Sequence, residues 1–492
     1  MDNFGFAHKS GILMAVSSLP SHYGIGTMGE PCYRWIDALA AMRQKVWQVL
    51  PLNPTAYGDS PYQSPSAMAG NPYYLDLDDL YRRRLLTGEE LASARCRVGR
   101  VDYGWLFETR VALLRKAYAR WEATGTYYQY RFANRGWLID YAHFMALKVK
   151  NGYRCWHDWA HDERDYTQAK AGRAAYRREI GFWCWVQYTF ACQWQQVKVY
   201  AHKQGIRILG DMPIYVAYDS VDVWSNPALF ELDEDLNPTE VSGCPPDGFS
   251  PDGQLWGNPL YRWERMARDG YRWWIERFDH ALHLYDMVRV DHFRGFAGYY
   301  AVPFGDSTAR NGQWRTGPGK ALFGAIRQAL PDAKIVAEDL GFITPDVREL
   351  LEFTDCPGMK ILQFAFFDED SEYLPRCYTT DNCVVYSGSH DADCTFSWCQ
   401  NLSGDTLERW KREVPRRKGE TRTRATIRLA LESRADLAII PWQDWLELDN
   451  EHGRMNTPSV AEGNWTWRAL RIPGKRIIAE VAALTKATHR QK

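Results

Sequence analysis

No apolar run in this 492-residue chain reaches 18 residues, which excludes a conventional membrane-spanning helix. The first residues, MDNFGFAHKSG, lack a basic segment followed by an apolar stretch. No secretory leader is therefore expected, and the expected setting is the cytoplasm. None of the eleven cysteines is spaced C-x-x-C, and the odd count argues against a disulfide framework or a zinc site. An excess of charge is missing too. The net value is −1, too weak a field to gather nucleic acid or an anionic membrane. There is no fixed-period repeat and no low-complexity tract. What the chain has in quantity is tryptophan, 22 in all, within an aromatic content of 14%. A large core accounts for most of these rings; the sharper reading, that some line a groove for a flat ligand such as a sugar ring or a base, is one that composition does not choose.

Eight short apolar runs rich in β-branched residues end abruptly in polar or charged residues. They span 11–19, 45–53, 206–216, 285–292, 333–341, 359–366, 382–391 and 437–444. Near-continuous hydrophobic runs indicate strands covered on both faces, as in a parallel sheet. Helical patterns separate most of them, including 31–44, 176–204 (stopped at Gly205) and 344–353, which opens with Thr-Pro. Eight strand–helix units predict an α/β fold, a (β/α)8 barrel forming a single catalytic unit over 1–492. The spacing is uneven: about 150 residues lie between the second and third strands. Too long for one connection, this stretch carries helical patterns at 105–121 and 136–152, so 74–178 reads as a helical insertion. Residues 217–284, between the third and fourth strands, are expected as ligand-binding loops and helices.

Barrels of this kind place their chemistry at the C-terminal ends of the strands. There the sequence offers Asp211 after the third strand, Asp291 and His292 after the fourth, Glu338 and Asp339 after the fifth, and His390 and Asp391 after the seventh. Arg289 and Asp291 are two apart and share a face, so the guanidinium is expected to lower the Asp291 pKa and suit it to be a nucleophile. Glu338 and Asp339 are adjacent and point oppositely. Glu338 follows the apolar IVA, where a carboxyl group stays protonated longer, as a general acid requires. A pair of unequal carboxylates is the pattern of glycoside chemistry.

Four other stretches look chemical and read better as ordinary structure. GIGTMG (24–29) matches a dinucleotide motif, but LPSHY intervenes after the strand and no acidic residue ends the next one. HDWAH (157–161) lacks a metalloprotease glutamate, and SHDADC (389–394) is not followed by a complete oxygen-ligand loop for a metal. The basic run 409–424 contains two glutamates and reads as an exposed helix and loop, not as a nucleic-acid site.

Ten segments in order resemble the amylomaltases, the 4-α-glucanotransferases or disproportionating enzymes among the α-amylase-like barrels. They are SSLPSHYGIGTMG (17–29), DSPYQSPSAMAGNPYYLDL (59–77), GDMPIYVAYDSVDVW (210–224), PPDGFSPDGQLWGNPLY (245–261), RVDHFRGF (289–296), AEDLG (337–341), PGMKILQFAF (357–366), SGSHDADC (387–394), IIPWQDWL (439–446) and RMNTPSVAEGNWTWR (454–468). The resemblance implies that Asp291 is the nucleophile of a covalent glucosyl–enzyme, Glu338 the acid and then base, and Asp391 the residue that binds sugar hydroxyls at the cleavage point. Arg289 and His390 match supporting residues, and Asp211 a barrel aspartate. Tyr62, Phe249 and Trp256 fall in loops that face the glucan chain in relatives. Asn258 is a substrate contact by position, and His292 is placed with this substrate-binding group. The implied partners are maltooligosaccharides and 1,4-α-glucans, with no cofactor and no metal. No extra C-terminal β-domain is expected. Two positions depart from the family's pattern: Ala392 where Asn is usual, removing an amide near the site, and Cys394 where Thr is usual.

Two other readings stand beside transfer. A retaining α-glucan hydrolase uses the same carboxylates and differs in whether water or a sugar resolves the intermediate. A non-catalytic glucan-binding barrel is disfavoured by the complete Asp291, Glu338 and Asp391 set.

Overall fold

The computed structural model describes residues 7–96, 99–246, 250–341, 343–460 and 462–491. Among them lie twelve strands: β1 (Lys9–Leu13), β2 (Val46–Gln48), β3 (Arg207–Met212), β4 (Glu240–Cys244), β5 (Gln254–Pro259), β6 (Met287–Val290), β7 (Gly298–Pro303), β8 (Gln313–Thr316), β9 (Ile335–Ala337), β10 (Gly358–Ile361), β11 (Cys383–Tyr386) and β12 (Leu437–Pro441). Eight of these close a parallel barrel in the order β1-β12-β11-β10-β9-β6-β3-β2. Each falls within, or overlaps, one of the eight apolar runs. Such runs arise because a barrel strand is covered inside by packed side chains and outside by helices. All four residues of β6 and of β11 are buried.

The helices follow from the same sequence logic. Glu30–Ala41 carries Pro31 in its first turn and buries Trp35, Ile36 and Leu39 against the barrel. Arg177–Lys203 runs for 27 residues, about 40 Å. It buries Phe182, Trp183, Trp185, Phe190 and Trp194, and ends before Gly205, whose φ of +72° reverses the chain into β3. Between β2 and that helix lie Tyr103–Arg120, Gly125–Ala133 and Leu138–Lys150, the last packed along the 27-residue helix. Eleven tryptophans are less than 2% exposed, so the aromatic excess is chiefly core.

A second sheet was not legible in the sequence. Strands β4, β5, β7 and β8 form an antiparallel sheet in the order β5-β4-β7-β8. Residues 217–284, expected to be loops and helices, thus contribute two strands as well. These strands are short, interrupted by Gly243, Gly257 and Pro259, and partly open to solvent. All four residues of β8 are exposed. β4, β5 and β8 lack the continuous apolar run that marks a barrel strand, whereas β7 (GYYAVP) has one and is distinguished only by not ending in an acid.

One close approach positions the site. A Cβ on Gly210 in β3 would lie 2.1 Å from the Tyr285 ring, so glycine lets that ring pack against the strand immediately before Asp211.

Candidate active site

Asp211 and Arg289 are register partners on β3 and β6, at the C-terminal end of the barrel. Their side chains are almost completely buried, 0% and 2% exposed. Arg289 Nη1 donates to both Asp211 oxygens at 2.6 Å, which fixes the guanidinium against the inner wall. Its other terminal nitrogen, Nη2, faces two more carboxyl groups: Asp291 Oδ1 at 3.1 Å and Glu338 Oε2 at 2.9 Å. A charged arginine inside a strand is thus explained by three acids at three strand ends.

Because Nη2 is common to both contacts, the Asp291 and Glu338 oxygens are no further apart than about 6 Å, the sum of those two distances. That lies below the spacing of about 6.5–9.5 Å needed to seat a water in an inverting glycosidase, and is compatible with the roughly 5–5.5 Å of a retaining one. The two carboxyls also hydrogen-bond to each other. Glu338 is held further by the backbone N–H of His292, 2.6 Å from Oε2. Its neighbour Asp339 turns away, accepting from the Met359 N–H at 2.6 Å on β10. A Cβ on Gly358 would meet that carboxylate at 2.3 Å, so glycine there makes room for it.

The electrostatics reverse one expectation. Burial, then the charge of Glu338, pushes Asp291 well above the usual carboxylate range, although Arg289 pulls it down. Burial raises Glu338 as well, against the pull of Arg289 and the His292 N–H. The sequence suggests an Asp291 held low by its own arginine. In the folded protein that arginine is divided among three acids, with Nη1 wholly committed to Asp211. Both carboxyls are therefore raised, with burial the largest cause for each.

The second half of the site centres on Tyr62. Its hydroxyl donates to Asp211 Oδ2 at 2.8 Å and lies 2.9 Å from His390 Nε2. The Tyr62 and His390 rings stack with centroids 5.5 Å apart and planes 10° from parallel. His390 Nε2 is also 3.2 Å from Asp391 Oδ2. With the phenol proton on Asp211, the imidazole must present Nε2–H towards Tyr62 and Asp391. Burial raises the Tyr62 pKa strongly, so the phenol stays protonated. Asp391 is the most open of the acids, 38% exposed.

Asn456 and Trp465 were missed by the sequence reading, although both lie in the segment 454–468. Asn456 Nδ2 donates to Asp391 Oδ1 at 2.6 Å, and its backbone N–H to the His390 carbonyl at 3.1 Å. Trp465 packs on Tyr62 at 5.4 Å and on His390 at 6.0 Å, from a backbone φ of +62°. Neither residue is ionisable, and neither sits at a strand end. An amide and an indole flanked by turn residues were the available signal. Ala392 and Cys394 line a cavity of about 20 Å³ behind His390, room for a single water.

Asn258 and His292 both have contacts within the protein. Asn258 is buried, and its amide is spent within the protein: Nδ2 donates to Gln63 Oε1 at 3.2 Å and to the Val216 carbonyl at 2.9 Å. Its Oδ1 accepts from Gln63 and from Ser242, both at 3.2 Å. It ties the loop of Tyr62 to β5 and leaves no group for a substrate. The His292 ring meets Trp256 edge-on, at 4.8 Å, and its Nε2 is buried with no hydrogen-bond partner among the described residues. Trp256 is half-buried beside it. Phe249 lies outside the described residues. Among those residues no group of three or more His, Cys, Asp or Glu is arranged to hold a metal ion, and no helix is long and apolar enough to cross a membrane.

With this geometry in hand, comparison with known proteins is direct. A family model described as 4-alpha-glucanotransferase matches residues 14–472. The 4-alpha-glucanotransferase of Streptococcus pneumoniae is 44% identical over 470 residues, covering 94% of this chain and 93% of that one. The Thermus thermophilus protein of the same name is 41% identical over 500 residues, covering 98% of each. Among solved structures, an amylomaltase from Streptococcus agalactiae in complex with acarbose superposes with a TM-score of 0.94 at 37% identity, covering 98% of this chain and 99% of its own.

Proposed function

Because the chain belongs to the 4-α-glucanotransferase family, we propose that Asp291, Glu338 and Asp391 carry out retaining transfer of 1,4-α-glucan segments from one maltooligosaccharide or glucan to the 4-hydroxyl of another. Asp291 attacks the anomeric carbon while Glu338 gives its proton to the departing glycosidic oxygen. The donor segment is then held as an ester on Asp291. Glu338, now a carboxylate, takes the proton of the acceptor 4-hydroxyl, whose oxygen displaces Asp291. Two inversions return the original configuration, and both carboxyls recover their starting state.

The observation that carries this reading is the single nitrogen, Arg289 Nη2, within reach of both Asp291 and Glu338. It sets the pair at a spacing that leaves no room for a water between them and suits direct attack. Asp391, held from behind by Asn456 and His390, is free on its open side to accept from sugar hydroxyls and to place negative charge near the oxocarbenium-like transition state. Tyr62 and His390 act as its scaffold. Trp256 and Phe249 keep the sugar-facing role expected of their loops. The chemistry is complete with carboxyl groups and needs no cofactor. No disulfide forms among the described residues, which supports the reducing cytoplasm as the setting.

The test is incubation with maltotriose, following both product sizes and total reducing ends. Glucose plus a ladder of longer oligomers at constant reducing ends is the expected result. A rising count of reducing ends would assign the intermediate to water and make the protein a hydrolase, and untouched maltotriose would overturn the catalytic reading.

A further inference from the structure

Of the 22 tryptophans, Trp314 is the one that stands in solvent, 44% exposed, while the rest are buried or half-buried. It sits on β8, the edge strand of the small antiparallel sheet, where an open apolar side chain invites unwanted pairing. Packing does not account for it. That face of the sheet has its own buried cluster, Val241, Tyr300, Val302 and Ala309, and Trp314 lies outside it. The ring is nevertheless held. Arg294, itself buried, places its guanidinium 4.0 Å from the centre of the Trp314 ring, over one face. Tyr300, the register partner of Trp314 on β7, meets it edge-on at 5.3 Å. A single exposed apolar side chain is ordinary, but an exposed indole braced from beneath by a buried arginine is not. With one face on a cation and one edge on a phenol, what stays open is the opposite face, a flat π-surface of fixed orientation.

The place of the ring points to what it meets. β7 and β8 lie in the connection that leaves the C-terminal end of β6, and β4 and β5 in the one that leaves β3. The sheet therefore stands on the rim that carries the acids. Arg294 follows Asp291 by three residues, which keeps their Cα atoms within about 11 Å. Trp314 is thus one arginine side chain away from the catalytic turn. Its neighbours on β8 are polar and exposed: Gln313, Thr316, and Arg315, which is tied to Glu240 at 2.9 Å. A protein partner or a membrane needs a broader apolar face than one ring. A pyranose does not, because its C–H face covers an indole while its hydroxyls stay in water. We propose that Trp314 is a platform for a 1,4-α-glucan chain continuing beyond the three acids, and that it sets a preference for long substrates over short ones. This rests on the transfer reading of those acids. A long chain already held at Asp291 is tethered, so a distal sugar meets the indole at high effective concentration. A short substrate, occupied at the cleavage point, has no sugar left for it.

The test compares long and short donors in Trp314→Ala and the parent. With amylose as donor and glucose as acceptor, KM should rise roughly 5- to 10-fold with kcat nearly unchanged. With maltotriose, both constants should stay within about twofold of the parent. Trp314→Tyr, which keeps a flat ring, should recover most of the loss, and Trp314→Leu, which keeps only bulk, should not. Equal losses on amylose and maltotriose would assign Trp314 to support of Arg294 and the catalytic turn. Unchanged kinetics on both would remove glucan from this face. Either result overturns the proposal, as does self-association of the parent in sedimentation that Trp314→Ala abolishes, which would make the face a contact between copies. A second measurement does not depend on the folding of a Trp314 variant. In Asp291→Asn, which leaves amylose uncleaved, brief oxidation read by mass spectrometry should modify Trp314, and added amylose should protect it. Oxidation at the same rate with and without amylose overturns the platform. Failure of the parent to turn over maltotriose removes the transfer reading itself, whereas turnover without any dependence on donor length at Trp314 removes only this inference.

Discussion

The side-chain amide of Asn456 donates to Asp391 at 2.6 Å, joining a barrel-strand end to a residue 65 positions later in the chain. Its backbone N–H fixes the carbonyl of the preceding His390 as well. Asp391 is therefore aimed from a loop that contributes no acid or base of its own.

Removing that amide should misplace Asp391 without unfolding the barrel. Asn456→Ala is expected to lower kcat/KM for maltotriose by roughly 10-fold, near the low end for a charge-assisted hydrogen bond because Asp391 is partly open. Thermal unfolding should move little. A normal kcat/KM in the variant would show that Asp391 finds its place unaided.

The raised Asp291 gives Asp291→Asn two opposite effects. Turnover should fall on the order of 10⁴-fold, while calorimetry still detects oligosaccharide binding. The same variant should melt higher than the parent at neutral pH. A carboxyl whose folded pKa lies above its unfolded value binds more protons folded than unfolded, so its contribution to stability falls as pH rises through the unfolded value of about 3.9. Asparagine removes that loss. The difference in Tm should shrink as pH is lowered towards 4. A constant difference, or a lower Tm at pH 7, would contradict the raised Asp291.

Gly210→Ala places a methyl 2.1 Å from the Tyr285 ring. The expected cost is about 1–3 kcal/mol in denaturant unfolding, together with a loss of activity from displacement of the adjacent Asp211. Unchanged activity at reduced stability would mean that the strand shifts as a unit and keeps the Asp211–Arg289 contact.

Ala392→Asn adds an amide where the cavity behind His390 has room for only one water. The amide must therefore turn towards the open side of Asp391. The KM for maltotriose should change with little change in Tm. Identical kinetics would show that the missing amide has no part in donor binding.

How much of this the sequence disclosed follows from how each residue is used. The barrel was legible because strands covered on both faces need apolar residues without interruption, and the acids were legible because each ends such a run. In the second sheet β4, β5 and β8 were hidden by glycines and exposed side chains, and β7, though apolar, by the absence of an acid at its end. The direction of the Asp291 pKa was misread because spacing along one strand shows Arg289 beside Asp291 but not Asp211 and Glu338, which arrive from neighbouring strands. Asn258 looked like a ligand contact because its amide is polar and lies in a binding loop, and only the fold shows both ends of that amide already occupied. Asn456 and Trp465 carried no periodicity and no ionisable group, so nothing local marked them.

The loop that carries Asn456 is itself anchored to the other end of the chain: Ser18 Oγ donates to the Trp467 carbonyl at 2.7 Å, and the Ala469 N–H to the Ser18 carbonyl at 2.9 Å. β1 likewise closes the barrel only by pairing with β12. A nascent chain that has delivered Asp291, Glu338 and Asp391 thus still lacks the amide that aims the last of them and the strand that seals the wall.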